Sequence, residues 1–497
     1  MAIADYYARN ALAAAQVLAG FDEQRIREIL DHERVGIRIG TDAARSSEGC
    51  ALVDLLVRLV ARLYPTVVIR GEPGGQDAAR EAEELARRVN PAIDFSSDPT
   101  VEIVVGTGLS CSGERQQIFV GSSDWNAFVG TTEPLTVGSS LNPLGAGAAA
   151  CLAAANLFRW VFLREKSSLD ENAIFSVLEA DSFWTEDSPL SGSLGEIVLV
   201  GAGAIGNAVA WALSRVPMDG MVHLVDHQRI DLGNLQRYIL AERCDDGGTK
   251  VEVLARYFRG PLQAKPHALE FQNFVAEEGY AWPRVMLALD SSRDRRAAQA
   301  SLPHWIANAW TQPGDLGAGS HDFVHGACVA CLYLPERGLE NEDAIIASAL
   351  GIPNQMMQIR TLLHNGQGVP RDLLDAISGA RGIQIERLLP FEDRPVRELY
   401  TEGFCGGAVI PLGELGTPRQ DVHVPLAHQS ALSGLLLAGS VVRQALGLNR
   451  AGTHVTRINV MRPLGSNLTQ IAAKDPRGIC ICQDGDYQEV YRSKYAT

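Results

Sequence analysis

Residues 196–206 read EIVLVGAGAIG, and this run decides the fold. After Glu196 it is apolar to Val200, which suits a parallel strand covered by helices on both faces, with no wet side for alternating polar residues. Gly201, Gly203 and Gly206 follow at GxGxxG spacing, and a helix is predicted from about Ile205 to Arg215. The first amides of such a helix are unpaired and its dipole favours anions, so a phosphate can rest there if no side chain intervenes. A second predicted strand, Met221 to Val225, ends in Asp226, where a carboxylate can accept hydrogen bonds from ribose hydroxyls. Dehydrogenases share every one of these features, and tight strand-to-helix packing alone also uses such glycines.

The residues beyond Asp226 separate the alternatives. The chain continues VDHQRIDLGNLQR and supplies Asn234, Arg237 and then Lys250. Hydride transfer to a nicotinamide has no use for two cations there. A carboxylate attacking the α-phosphorus of ATP does, because charge must be neutralised on the transferred group and on the departing pyrophosphate. A third strand, predicted from Val285 to Leu289, ends in Asp290, at the edge where open α/β sheets bind ligands, and a carboxylate there suits Mg²⁺. Singly, Arg237 or Lys250 reads as a solvated surface charge; together with the loop they read as a phosphate site.

These residues resemble the adenylyltransferases that activate ubiquitin-like proteins, a family that includes ubiquitin-activating enzymes and the ThiF and MoeB sulfur-carrier activators. Gly201, Gly203 and Gly206 fall on the family's nucleotide loop, Asp226 on its ribose aspartate, Asn234 and Arg237 on its NLQR motif and Lys250 on its phosphate lysine. Asp290 falls on the magnesium aspartate, with Arg295 on the arginine after it. Gln228 stands where the family carries a second acid. The resemblance implies an α/β, Rossmann-like adenylation domain that uses ATP and Mg²⁺. It also implies an arginine from another half or subunit, for which Arg9 is a candidate.

Cysteines add two expectations. HGACVACLYLPE holds Cys328 and Cys331 in a strand-like setting and GICICQD holds Cys480 and Cys482. Four thiolates in two pairs can close a structural tetrahedral zinc site, with His325 as an alternative ligand to one sulfur of the tighter CxC pair. Cys405, in EGFCGGAVIPLGELG, stands alone ahead of an apolar helix, HQSALSGLLLAGSVVRQALGL. In the relatives that this segment resembles, such a cysteine takes the activated carboxyl or carries sulfur. A buried inert thiol is the other reading of Cys405.

The 497 residues, 46% hydrophobic, can build two or three domains. Nine cysteines, four of them in a CxxC and a CxC pair, suggest a reducing compartment, and the absence of signal-like or spanning apolar segments suggests a cytoplasmic protein that engages no membrane. A net charge of −15 argues against general nucleic-acid binding. Residues 1–190 alternate strand and helix signals without a phosphate loop, ending in the small-residue helix NPLGAGAAACLAAANLFRWVF; they read as a degenerate, inactive adenylation-like half. Residues 191–335 read as the active ATP-binding domain, 336–404 as a helical insertion like a cysteine half-domain, and 405–497 as the cysteine segment, a long helix and strands completing the adenylation domain.

The resemblance then implies activation of the C-terminal carboxylate of a ubiquitin-like protein, a thioester on Cys405 and transfer to a conjugating enzyme. Bacterial relatives with such partners make a ubiquitination-like pathway, with antiviral defence among its settings, the implied context. An intrachain pseudo-dimer or a homodimer is the expected assembly. A sulfur-carrier adenylyltransferase of the ThiF/MoeB type and, from another class, an NAD-dependent oxidoreductase are the alternatives.

Overall fold

In the computed structural model, the described residues are 23–96, 98–108, 115–180, 183–184, 190–312, 314–335, 342–405, 425–448, 452–466 and 468–496. Arg9 and residues 406–424 lie outside them. The chain forms two compact units: Met1–Leu334 with Pro425–Thr497, and Pro335–Val424.

The larger unit contains two sheets. The first holds β1 (Val35–Ile39), β2 (Thr66–Gly71), β3 (Asp94–Phe95), β4 (Val101–Val105), β5 (Gln116–Ser123), β6 (Asn126–Gly130) and β7 (Asn172–Ser176) in the order β3-β2-β1-β4-β5-β6-β7. The second holds β8 (Ser193–Val200), β9 (Asp219–Val225), β10 (Leu262–His267), β11 (Arg284–Leu287), β12 (Trp305–Gln312), β13 (Asp315–His321), β14 (His454–Ile458) and β15 (Thr469–Ile471) in the order β10-β9-β8-β11-β12-β13-β14-β15. Each strand of the first sheet has a counterpart seven strands later. In both, the first five strands of the order pair in parallel and the strands after them antiparallel. This is a duplicated α/β architecture. Its parallel strands VEIVV and EIVLV read as apolar runs because both faces are covered.

The two halves meet through helices. Ser47–Leu63 and Pro143–Leu163 belong to the first half, Ala204–Leu213 and Ala427–Ala445 to the second, and the four pack together. Small residues set the approach. A Cβ on Gly147 would lie 2.8 Å from the Trp211 ring and 2.9 Å from Leu435, and one on Gly434 would lie 2.5 Å from Ile205 O. Pro143–Leu163 is the counterpart of Ala427–Ala445: each returns the chain from its sheet's first antiparallel strand to the next. Pro143–Leu163 does have the length and apolarity to cross a membrane, contrary to the sequence expectation. Its apolar surface is instead used inside the protein, with 89% of the apolar window buried.

The smaller unit carries the helices Glu342–Ala349, Met356–Asn365 and Arg371–Arg381 around Ile346, Ile359, Leu373, Ile377 and Leu399. Arg397 binds Glu342 through two contacts of 2.7 and 2.9 Å, joining the start of the unit to the approach to Cys405. Two local expectations change. Cys328 caps a short helix, Val329–Tyr333, and does not lie in a strand; Cys328 is the extended residue from which the helix departs. The C-terminus adds a helix, Gly485–Tyr495, after β15, because Asp484 accepts from the amides of Asp486 and Tyr487 as an N-cap.

Candidate active site

Val200 of β8 lies between Val225 of β9 and Leu287 of β11 in parallel register. The three strands therefore release Gly201, Asp226 and, three residues past β11, Asp290 along one carboxyl edge. Gly201 adopts φ 96°, and a Cβ there would lie 2.5 Å from Ala288 O; one on Gly206 would lie 2.1 Å from Gly201 O. Both positions exclude any side chain. Gly203, the N-cap of Ala204–Leu213, differs: the nearest atom to its Cβ position is Tyr238 Oη, at 3.6 Å. The open side of the loop thus faces Tyr238. Asp226 is fixed by the loop itself, since Oδ2 accepts from Ala202 N at 2.8 Å and Oδ1 from Gln228 N at 2.8 Å. Each oxygen retains a further acceptor position for a ribose hydroxyl.

The cations converge on the same tyrosine. Asp231 caps the turn Leu232–Asn234 by accepting from Gly233 N, while Asn234 Oδ1 accepts from Asp231 N at 3.2 Å. Asn234 therefore shapes the turn, and its backbone oxygen accepts from both Arg237 N and Tyr238 N. The Arg237 guanidinium lies 5.6 Å from the Tyr238 ring centroid and Lys250 Nζ lies 5.4 Å from it. Lys250, the first residue of the helix Lys250–Ala255, is buried and donates to Gln228 Oε1 at 2.6 Å. Burial opposes its charge, but Tyr238 and Asp226 outweigh that and hold its pKa above the ordinary lysine value. Arg237 Nη1 is buried with no hydrogen-bond partner among the described residues. A buried cationic donor without an acceptor costs about 1–3 kcal/mol, which a phosphate oxygen would offset.

Asp290 is exposed at the strand edge, where a carboxylate could meet a solvated cation. Arg295 stands behind it. Buried itself, Arg295 donates through Nη2 to Leu289 O and, at 2.8 Å, to Ala309 O, and through Nη1 to Tyr333 Oη at 3.1 Å. It fixes the backbone that carries Asp290.

Apart from this edge, the four cysteines form one cluster. The sulfurs of Cys328, Cys331, Cys480 and Cys482 all lie within 4.8 Å of one another, with Cys328–Cys480 and Cys331–Cys482 each at 3.4 Å. Four thiolates about 2.3 Å from a tetrahedral zinc would stand about 3.8 Å apart, so the donor set fits that metal. His325 is exposed and outside the cluster, so both CxC sulfurs contribute. Cys405 ends the π-helical turn Leu399–Cys405 in the smaller unit; its side chain lies outside the described residues.

The first sheet offers no equivalent phosphate seat among the described residues. After β1 the chain reads Gly40-Thr41-Asp42, and the Asp42 carboxylate accepts from Thr107 N at 2.8 Å, Thr107 Oγ1 at 3.1 Å and Val137 N at 3.2 Å. An internal anion occupies the amides at that edge and would repel a phosphate.

A family model described as the ThiF family matches residues 188–262, the stretch from β8 to the start of β10 that carries the loop, Asp226, Arg237 and Lys250. The chain carries a ThiF-family domain over this stretch. A second model, described as prokaryotic E2 family C, matches residues 39–163. Over its full length the chain is 39% identical to the uncharacterized protein y4jF of Sinorhizobium fredii, covering 98% of it. It is 30% identical over 104 residues to the Nedd8-activating enzyme E1 catalytic subunit of Drosophila melanogaster, of which it spans 23%. A crystal structure of E. coli MccB with SeMet MccA, 14% identical, aligns with 74% of this chain and 98% of that one at a TM-score of 0.38, too low to add to the assignment.

Sequence reasoning missed Tyr238, the partnership of Gln228 with Lys250, and three residues of the first half: Asp54, Arg58 and Arg62. The signal for the arginines was present. They stand one helical turn apart in DLLVRLVARL, an otherwise apolar face that has no reason to carry paired charges unless they meet buried acceptors.

Proposed function

We propose that the protein activates the C-terminal carboxylate of a ubiquitin-like protein by adenylation, then receives it as a thioester on Cys405 and passes it to a conjugating enzyme in the cytoplasm. The observation that carries this reading is the convergence of Gly203, Arg237 and Lys250 on Tyr238, with the Arg237 Nη1 donor unpartnered. The ionised carboxylate attacks the α-phosphorus, the bond from that phosphorus to the bridging oxygen breaks, and pyrophosphate leaves. Arg237 and Lys250 neutralise the charge that moves onto the leaving group, and Asp226 holds the ribose. Asp290 is the residue that would hold Mg²⁺, which supplies further neutralisation of the polyphosphate when bound. In the second step the Cys405 thiolate attacks the acyl carbon and AMP leaves.

Zinc on Cys328, Cys331, Cys480 and Cys482 has a structural role in this reading, clamping the helix Val329–Tyr333 to the C-terminal segment. The stretch resembling a Nedd8-activating enzyme and the prokaryotic E2 model both favour conjugation over sulfur transfer. An NAD-dependent oxidoreductase would leave the buried cations without a role. A ubiquitination-like pathway, including a defensive one, is the setting that fits.

The test is nonreducing intact-mass analysis after incubation with MgATP and a ubiquitin-like protein ending in glycine, for wild type and Cys405→Ala. A thiol-labile adduct in wild type alone, with pyrophosphate released by both, is the expected result. Pyrophosphate without any adduct would replace the thioester step by a sulfur-carrier type of activation; no pyrophosphate with any carrier would remove the adenylation reading.

A further inference from the structure

Arg62 belongs to the helix Ser47–Leu63 of the first half and is 2% exposed. Its Nε donates to Leu235 O at 3.0 Å, and its Nη2 reaches Tyr238 O at 2.9 Å, Ile239 O at 3.0 Å and Ala241 O at 2.9 Å. Nη1 donates to Arg58 O at 2.7 Å, and Arg58 Nη1 donates in turn to Ile239 O at 3.1 Å. The clamped segment is the one that carries Arg237, with Leu235 on one side and Tyr238 on the other. Four carbonyls of one irregular stretch all accept from a single planar fork of the opposite half, with Arg58 adding a second donor to Ile239 O and Ala241 N one to Tyr238 O.

We propose that Arg62 is a positioning residue for phosphate binding: the half that lacks a nucleotide loop sets the conformation in which Arg237 and Tyr238 face the ATP of the other half. This rests on the adenylation reading and adds a role for the inactive half within it. The role is separate from contact with nucleotide, since the Arg62 guanidinium is committed to backbone oxygens. A second anchor acts on the other wall of the site. Asp54, two turns before Arg62, accepts from Trp211 Nε1 at 2.7 Å and Arg215 Nη2 at 3.0 Å, holding the helix that begins at Gly203. Loop and cations are therefore both held by the same first-half helix.

The experiment titrates the full chain with ATP and with AMP in the presence of Mg²⁺, for wild type, Arg62→Lys, Arg237→Ala and the double variant, with a melting temperature for each. Lysine keeps the charge but cannot reach several carbonyls from one point donor. Arg62→Lys is expected to weaken ATP about tenfold, equivalent to 1.4 kcal/mol, and to leave AMP, which lacks the leaving phosphates, unchanged. In the Arg237→Ala background it is expected to add nothing, because its effect passes through Arg237. Unchanged ATP affinity in Arg62→Lys overturns the proposal, as does an equal loss for AMP or an undiminished loss in the Arg237→Ala background. Should Arg62→Lys fail to fold, Arg58→Lys, which removes one of the two donors to the Ile239 carbonyl on that segment, is expected to weaken ATP about threefold and AMP not at all; equal ATP affinity to wild type would overturn the proposal. A wild-type chain that binds no ATP would remove the adenylation reading itself, and this proposal with it.

Discussion

Lys250 Nζ donates to Gln228 Oε1 at 2.6 Å, so Gln228 orients the lysine proposed to meet phosphate without neutralising it. An amide oxygen accepts the ammonium but leaves its full charge for an incoming anion. Gln228 is itself placed by its backbone N–H, which donates to Asp226 Oδ1 at 2.8 Å.

This pairing sets a pH dependence. A raised lysine pKa means that the stabilisation by Tyr238 and Asp226 is complete below 10.5 and is lost only as pH rises through the still higher folded value. ATP affinity is therefore expected to show no lysine titration between about pH 7 and 9.5. Lys250→Met is expected to weaken ATP by about tenfold to a hundredfold, as the loss of a charged hydrogen bond implies. Equilibrium titration across that range checks both; a fall in wild-type affinity near pH 8 that Lys250→Met abolishes would contradict the assignment.

The loop glycines separate into two kinds. Gly201→Ala and Gly206→Ala push a methyl into backbone oxygens at 2.5 and 2.1 Å and are expected to destabilise the larger unit. Overpacking of this kind costs about 1–3 kcal/mol, with about 1–2 kcal/mol more at the left-handed Gly201. Gly203→Ala meets only Tyr238 Oη at 3.6 Å. It is expected to keep the wild-type melting temperature while weakening ATP about tenfold, because the methyl stands where a phosphate approaches. Calorimetry alongside ATP titration distinguishes the two kinds.

Asp54 links the halves through Arg58, Arg215 and Trp211. Burial alone would raise its pKa, yet the two guanidinium groups and the Trp211 hydrogen bond hold it below the ordinary 3.8. For a lowered carboxylate the contribution is present above the unfolded value and vanishes as pH falls through the folded one. Asp54→Ala is expected to cost about 2 kcal/mol at pH 7, with the difference from wild type constant down to about pH 5 and closing below it. Urea midpoints of both proteins between pH 3 and 8 test this; a difference that grows on acidification would be incompatible with it.

The cysteine cluster makes a prediction about metal. Purified protein is expected to carry about one zinc per chain, as a four-thiolate site does, and Cys480→Ser to lose it with a lower melting temperature. Elemental analysis decides: wild type without zinc after expression in zinc-supplemented medium would leave four clustered thiols and no metal site.

The strand Ser193–Val200 and the glycine loop after it were readable in the sequence, because each is specified by local chemistry; Asp226, Arg237 and Lys250 were expected beside that loop on the same grounds. A buried parallel strand must be apolar throughout, a tight turn against a carbonyl must be glycine, and a phosphate needs fixed cations. The helices of the smaller unit were readable for a similar reason, through their apolar period and Gly or Pro stops. What only the tertiary structure decided is how distant segments satisfy one another. Arg62 reaches the carbonyls around Arg237 from 173 residues away, Asn234 is spent on its own turn, and the CxC sulfurs both join the cluster with Cys328 and Cys331. The strand-for-strand duplication was legible as alternation but not as topology, since order within a sheet is set by which faces bury together. Asp42, an ordinary polar residue in sequence, closes the anion seat of the first half only because folding brings Thr107 and Val137 to its carboxylate.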